Sequence, residues 1–265
     1  KFKISPVHEY SEKAKLNIRY PEKLDTVVEY EFLKNLKPHV VIVVAYGKII
    51  PLKILNLKNI EFINIHASLL PKWRGAAPIQ RSIMNCDKVS GISIMKIVSQ
   101  LDAGPTLIQA KINIDSNTNY ETLSKKMSHL GASKILDALD LIEKKKANYI
   151  SQNNNEATYA RKIDKSEAKI KWDQDARKIL AQINALYPNP GCWFDLNGVR
   201  IKIIKAIEVR KQGKAGEVLS DNFTIACLKN AIQILELKKE GKKTLTAKEF
   251  LKGNKLKVGE NIIDE

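Results

Sequence analysis

An α/β domain with a mainly parallel sheet, followed by a small β-barrel domain, is the fold class that this sequence predicts. Three observations predict it. Apolar, β-rich runs alternate with helix-forming segments over residues 1–147, the pattern of a parallel sheet covered by helices. A polar, Asn-rich stretch, Ser151–Glu156 (SQNNNE), then breaks the pattern. Five short strand-like runs follow, with Asn197-Gly198 between the first two as a hairpin turn. The expected division is a first domain over 1–147, a linker over 148–164 and a second domain over 165–265.

Each element has a local reason. His39–Ala45 (HVVIVVA) is a continuous β-branched run, which predicts a strand buried on both faces. Pro51–Leu55 reads as a short helix, and Glu61–Ile65 as a strand ending at His-Ala-Ser. Pro78 opens a helix over Pro78–Met84, as proline does at a first helical position. Gly91–Val98 and Thr106–Ile112 are further strands. Thr118-x-x-Glu121 is a capping-box pattern opening a long helix. Leu123, Met127, Leu130, Ile135, Leu139 and Ile142 form that helix's core-facing stripe. Lys144, Lys145 and Lys146 complement its C-terminal dipole. A helix over Gln174–Ala185 precedes the five runs Cys192–Leu196, Arg200–Val209, Gly216–Leu219, Phe223–Cys227 and Ala231–Leu237.

Composition narrows the function classes. The chain of 265 residues is 44% hydrophobic and 28% charged, as globular domains are. It contains no run of about 18 apolar residues, so no membrane-spanning helix is expected. Cys86, Cys192 and Cys227 are odd in number and widely spaced, which fits neither a disulfide framework nor a zinc site. A reducing compartment, the cytoplasm, is the expectation. The net charge is +16, and residues 161–265 carry +8 of it, with 22 Lys/Arg against 14 Asp/Glu. Such an excess favours polyanions. The preponderance of Lys (38) over Arg (7) equally fits a compositional bias without a selected patch. Lys202, Lys205, Arg210, Lys211 and Lys214 could contact phosphates or form an ordinary solvated face.

The segment Phe62–Gly104 carries the chemistry. Asn64 and His66 alternate onto one side of a strand end, and Asp102 follows the next strand in Leu101-Asp102-Ala103-Gly104. If the two strands are neighbours, an amide, an imidazole and a carboxylate converge. That set suits attack by an amine on a carbonyl carbon, which needs donors for the oxyanion and acceptors for the amine proton. Taken singly, each residue reads better as structural (a strand-end cap, a packed His, a turn Asp), and the case rests on their combination with the loop between them. Between the strands runs Ser68-Leu-Leu-Pro71-Lys-Trp-Arg74-Gly75-Ala-Ala-Pro78, whose apolar Leu69, Leu70 and Trp73 cover a ligand or pack locally. The helix start at Pro78 and the charge of Arg74 could face an anion.

With NIHASLLPKWRGAAPIQ and the following LDAGP, the chain resembles the methionyl-tRNA formyltransferase family, within the wider group of 10-formyltetrahydrofolate-dependent formyltransferases. The resemblance runs from Ser5-Pro6-Val7 to GKKTLTAKEFLKGNKLKVGE at the C-terminal end. It implies a Rossmann-like catalytic domain followed by an OB-like barrel that binds tRNA. It assigns Asn64, His66 and Asp102 to catalysis. Ser68, Leu69, Leu70 and Pro71, with Ala45, Tyr46, Gly47, Val98 and Leu101, would contact the folate. Arg74, Gly75 and Lys162 would contact the amine substrate, Lys162 near the tRNA acceptor end. The implied reaction moves the formyl group of 10-formyltetrahydrofolate to the α-amino group of initiator methionyl-tRNA, with no metal, in a monomer. In it Asn64 donates to the oxyanion, His66 stabilises the tetrahedral intermediate and passes protons, and Asp102 orients His66 or accepts the amine proton.

Two departures qualify the resemblance. Gln100 stands where the family commonly has Gly, and the family's N-terminal βαβ unit is not in the sequence. Lacking that unit's central strand, the sheet is expected to be destabilised. Three further readings share these residues: a sister formyltransferase acting on a small amine, a formyltetrahydrofolate hydrolase, and an inactive RNA-binding fragment.

Overall fold

The structure, a computed structural model, describes residues 4–254 and 256–263. The ends of the two expected domains, 1–3 and 264–265, and Lys255 lie outside the described residues. Contacts divide the chain into two compact units, one of residues 1–42 and 46–62, the other of residues 43–45 and 63–265.

The first unit contains two helices that the hydropathy pattern did not predict, α1 (Pro6–Lys13) and α2 (Val27–Leu36). Both start at hydroxyl caps: Ser5 accepts from the His8 N–H and Thr26 from the Glu29 N–H. Strand β1 (Val40–Val44) forms where the β-branched run predicts it. It is not buried on both faces, however: Ile42 and Val44 are 42% and 59% exposed. The reason is position, because β1 ends the strand order of its sheet. Helix α3 (Leu52–Leu55) is the short helix expected after Pro51.

The remaining elements of the first expected domain are β2 (Glu61–His66), β3 (Arg74–Gly75), α4 (Pro78–Met84), β4 (Val89–Lys96), β5 (Thr106–Asn113) and α5 (Tyr120–Glu143). A four-stranded sheet runs β1-β2-β4-β5. β4 is interior and buried continuously from Ser90 to Met95. The α/β class is as expected, but two of the three adjacencies in this sheet, β2–β4 and β4–β5, are antiparallel. Residues 97–105 join β4 to β5 without a helix, too short for the crossover that a parallel pair needs. Helix α5 packs on β4 and β5. Its cap is Asn119 with Thr122, which exchange side-chain and backbone bonds, rather than the expected Thr118 with Glu121. Thr118 instead caps the preceding turn at Asp115. Gly131 lets α5 approach β2 closely, since a Cβ there would lie 3.1 Å from Ile65.

The expected linker is ordered and docked. Asn154–Glu156 makes a short 3₁₀ turn, and β6 (Tyr159–Ala160) pairs parallel with β3. Next come α6 (Ala176–Leu186), β7 (Trp193–Leu196), β8 (Val199–Val209), β9 (Val218–Ser220), β10 (Thr224–Ala226), β11 (Ala231–Lys239), β12 (Leu245–Thr246) and α7 (Ala247–Gly253). Strands β7-β8-β11-β10-β9 form an antiparallel sheet, with β12 also on β11. Among the described residues no pairing joins β7 to β9, so the path is open. The β7–β8 turn is Asn197-Gly198, both with positive φ, as the dipeptide predicted. The core here is aromatic: Phe194 packs edge-on to Trp172 and Phe223, and Phe223 stacks on Phe250. Met84 of α4 packs against this core, and α4 lies on α6.

Candidate active site

Strand β2 delivers Asn64 and His66. Asn64 is half-buried opposite Met95, and His66 is buried opposite Ser93. The His66 Nε2 lies 2.9 Å from the Trp73 carbonyl oxygen. A carbonyl only accepts, so Nε2 carries the proton and Nδ1 is left to face Asp102. The separation from Nδ1 to Asp102 Oδ2 is 3.7 Å, beyond a hydrogen bond. Asp102 sits at φ +46°, a left-handed position that Asp tolerates better than most residues. Its Oδ2 accepts the Gly75 N–H at 2.8 Å. The expected convergence of His66 and Asp102 is present. Direct orientation of His66 by Asp102 is not: the Trp73 carbonyl does that.

Trp73 is itself held at three atoms. Its carbonyl meets His66, its backbone N–H donates to Thr158 Oγ1 at 2.9 Å, and its indole N–H donates to Asp87 at 2.8 Å. The next residues, Arg74 and Gly75, are β3, bonded to the 158–160 segment. Gly75 has φ +118°, and a Cβ there would lie 2.8 Å from the Ala160 carbonyl oxygen. Only glycine lets the chain approach β6 closely enough to aim this N–H at Asp102.

Ser93 on β4 holds the Ser68–Pro71 turn. Its hydroxyl donates to the Ser68 carbonyl at 2.7 Å and accepts from the Leu70 N–H and from Gln109 Nε2, each at 3.0 Å. Gln109 also donates to the Leu70 carbonyl at 2.7 Å. Ser68 is fully buried, its hydroxyl donating to the Lys72 carbonyl, and Leu70 is buried too. Leu69 and Pro71 are half-buried.

The other expected site residues divide. Val98 and Leu101 project into solvent, Leu101 at 64% exposure, an apolar surface on the Asp102 loop. Ala45 and Gly47 are exposed, and Tyr46 is largely so; burial raises the Tyr46 hydroxyl pKa. Lys162 is exposed. Arg74 is only 3% exposed, and its guanidinium donates to Gln152 and Asn154. It is internal rather than offered to an anion. Near Lys162 the chain is fixed by Arg81 of α4, which donates to the carbonyls of Arg161 and Lys162 and pairs with both oxygens of Glu167. Hydrogen bonding from Arg81 holds the Glu167 carboxyl below its ordinary range, against the opposing effect of burial. Sequence reasoning missed Trp73's carbonyl, Ser93, Gln109, Arg81 and Gln152. Apart from Trp73, which meets His66 seven residues away, each acts through a partner far along the chain, and no local pattern marks any of them. Among the described residues no three His, Cys, Asp or Glu side chains are grouped to hold a metal.

The "Formyl transferase" family model matches residues 4–139, and "Formyl transferase, C-terminal domain" matches residues 162–255. The chain belongs to the methionyl-tRNA formyltransferase family. It is 47% identical to methionyl-tRNA formyltransferase of Pelagibacter ubique over 99% of its own length and 85% of that protein. It is 39% identical to that of Bradyrhizobium diazoefficiens, covering 96% of this chain and 83% of that one. Among solved structures, an N-formyltransferase from Helicobacter canadensis, in complex with folinic acid and dTDP-3-aminofucose, has the same fold. Its TM-score is 0.70 at 20% identity, with 88% of this chain and 84% of that one covered. HypX from Aquifex aeolicus in complex with tetrahydrofolic acid matches with TM-score 0.65 at 20% identity; 84% of this chain is covered, and this chain spans 40% of that longer one.

Proposed function

We propose that the chain transfers the formyl group of 10-formyltetrahydrofolate to the α-amino group of initiator methionyl-tRNA, with Asn64, His66 and Asp102 at the reacting centre. One observation carries the role of this site. His66 Nδ1 and Asp102 Oδ2 are two acceptors 3.7 Å apart, close enough for one amine placed beside them to approach both. The amine attacks the formyl carbon and forms the new C–N bond in a tetrahedral intermediate; the bond to folate N10 then breaks, one amine proton having left while N10 gains one. His66 Nδ1 takes the amine proton, and the Asp102 charge stabilises the cation that develops on nitrogen. Esterified α-amino groups titrate below the ordinary value of about 7.7–8.0, so much of the amine is free at neutral pH. Positioning therefore supplies much of the acceleration. Asn64 donates to the formyl oxygen as it gains charge, an effect of the kind worth about 10²–10³ in rate.

The apolar Val98 and Leu101 suit the pterin ring, and we assign the Ser68–Pro71 turn to the same ligand. Lys162 serves the acceptor end of the tRNA. Residues 1–147 act as the catalytic domain and 165–265 as the tRNA-binding domain, joined by 148–164. A cavity of about 280 Å³, lined by Lys165, Arg200, Lys202 and Lys238 against one carboxylate, Glu240, supports a polyanionic partner for the second domain. We assign a monomer as the working state, and the three free thiols suit the cytoplasm. The test mixes the protein with formyl donor and charged initiator tRNA and follows N-formylation. Formyl transfer confined to small amines, or folate hydrolysis alone, rejects the reading.

A further inference from the structure

We propose that Gln152 is a positioning residue for Asp102, acting through the backbone of the Asp102 turn; the proposal rests on Asp102 being the working carboxylate. The Gln152 amide uses its full hydrogen-bonding capacity. Its nitrogen donates to the carbonyls of Asp102 and Gly104, at 2.8 Å and 2.7 Å. Its oxygen accepts from Arg74 Nε and Nη2, at 3.1 Å and 2.8 Å. The guanidinium can only donate, so the amide has one possible orientation. The clamped carbonyls are that of Asp102 itself, a residue in the left-handed region, and that of Gly104 just after it; such a conformation persists where its surroundings over-determine it.

The identity of the residue points the same way. Arg74 is a buried cation, and among the described residues its side-chain partners are two neutral amides, Gln152 and Asn154. Were neutralising Arg74 the need, a carboxylate at position 152 would serve better. A carboxylate cannot donate, and it would face two carbonyl oxygens instead of binding them. The amide is the group that satisfies both sides. Gln152 is 50 residues from Asp102, in the segment whose composition reads as a linker. The same segment, through β6, supports the Gly75 N–H that holds the Asp102 side chain. Backbone and carboxylate of Asp102 are thus set from one stretch of chain.

Gln152→Glu separates this role from charge neutralisation, because it keeps an Arg74 partner and loses the carbonyl clamp. In the full chain we expect kcat to fall at least about 10-fold, within the range that sub-ångström to 1 Å misplacement costs. KM for the formyl donor and for tRNA should change less than about 2-fold. Exchange of the Gly75 amide proton, read by NMR, should quicken about 10-fold or more as Asp102 leaves it. Gln152→Ala should behave alike, and it decides the matter if the glutamate variant does not fold. Wild-type kcat together with wild-type Gly75 protection in either folded variant overturns the proposal. Should the unmodified chain transfer no formyl group, the proposed function fails, and Gly75 exchange alone decides the role of Gln152.

Discussion

His66 and Asp102 face each other without bonding. Nδ1 stands 3.7 Å from Oδ2, while Nε2–H is committed to the Trp73 carbonyl and Oδ2 already accepts from Gly75. Each group is oriented by backbone rather than by the other, and the two acceptors lie close enough for one amine to approach both. Asp102→Asn puts an amide against Nδ1 and removes the negative charge with little change of shape. We expect kcat to fall about 10²–10⁴-fold, the usual worth of a positioned acid–base group, with tRNA affinity nearly unchanged. Steady-state kinetics with a filter-binding measurement check this; near-normal turnover in the folded variant removes Asp102 from the mechanism.

Gly75→Ala tests the approach of β3 to β6. The added methyl would meet the Ala160 carbonyl oxygen at 2.8 Å, at a φ of +118° that alanine rarely adopts. A loss of about 1–3 kcal/mol in stability is expected from the strain. Turnover should fall further than stability explains, because the N–H aimed at Asp102 moves. Denaturant unfolding beside kcat separates the two effects, and an alanine variant with unaltered kcat would show that this N–H is dispensable.

Ser93→Ala removes three hydrogen bonds at once and strands the Leu70 N–H in a buried site. A cost of about 1–3 kcal/mol follows from the unsatisfied buried groups. If the Ser68–Pro71 turn contacts the folate, KM for the formyl donor should rise while KM for tRNA holds. A donor KM unchanged in the presence of the expected destabilisation would separate the turn from folate binding.

The Arg81–Glu167 pair should leave a signature in acid. Hydrogen bonding to Arg81 depresses the folded-state pKa of Glu167. Its contribution to stability is therefore complete above the unfolded glutamate value of about 4.3 and is lost as pH falls through the lower, folded value. The melting-temperature gap between wild type and Glu167→Gln should be widest near neutrality and close below about pH 4. A gap that stays constant from pH 7 to pH 3 counts against the pair as a stabilising contact.

The elements that local signals define were legible. Pro78 opens α4, the β-branched run makes β1, and Asn197-Gly198 turns β7 into β8. Those signals act within a few residues, through φ restriction, side-chain alternation and turn chemistry. The reading failed where distant groups compete with a local pattern. Thr118 looked like the cap of α5, but Asn119 holds that place because Thr118 is engaged with Asp115. Residues 151–156 looked like a linker because the stretch is polar and Asn-rich; the side chains of Gln152 and Asn154 instead hold the buried Arg74. Arg74 looked like an anion contact, and burial turned its charge inward.

By itself the sequence determined the α/β order, the strand-end placement of Asn64 and His66, and the Asp-bearing turn after β4. These follow from periodicity and from residue types at short spacing, which any chain with this pattern shares. Only the tertiary structure decided what orients them. The Trp73 carbonyl takes the histidine proton, Gly75 takes the carboxylate, and Gln152 takes the backbone beneath it. Hydrogen bonds reach about 3 Å whatever the sequence separation, so the groups that fix the reacting pair are chosen by which backbone passes nearby, and that is settled when β3 and β6 meet.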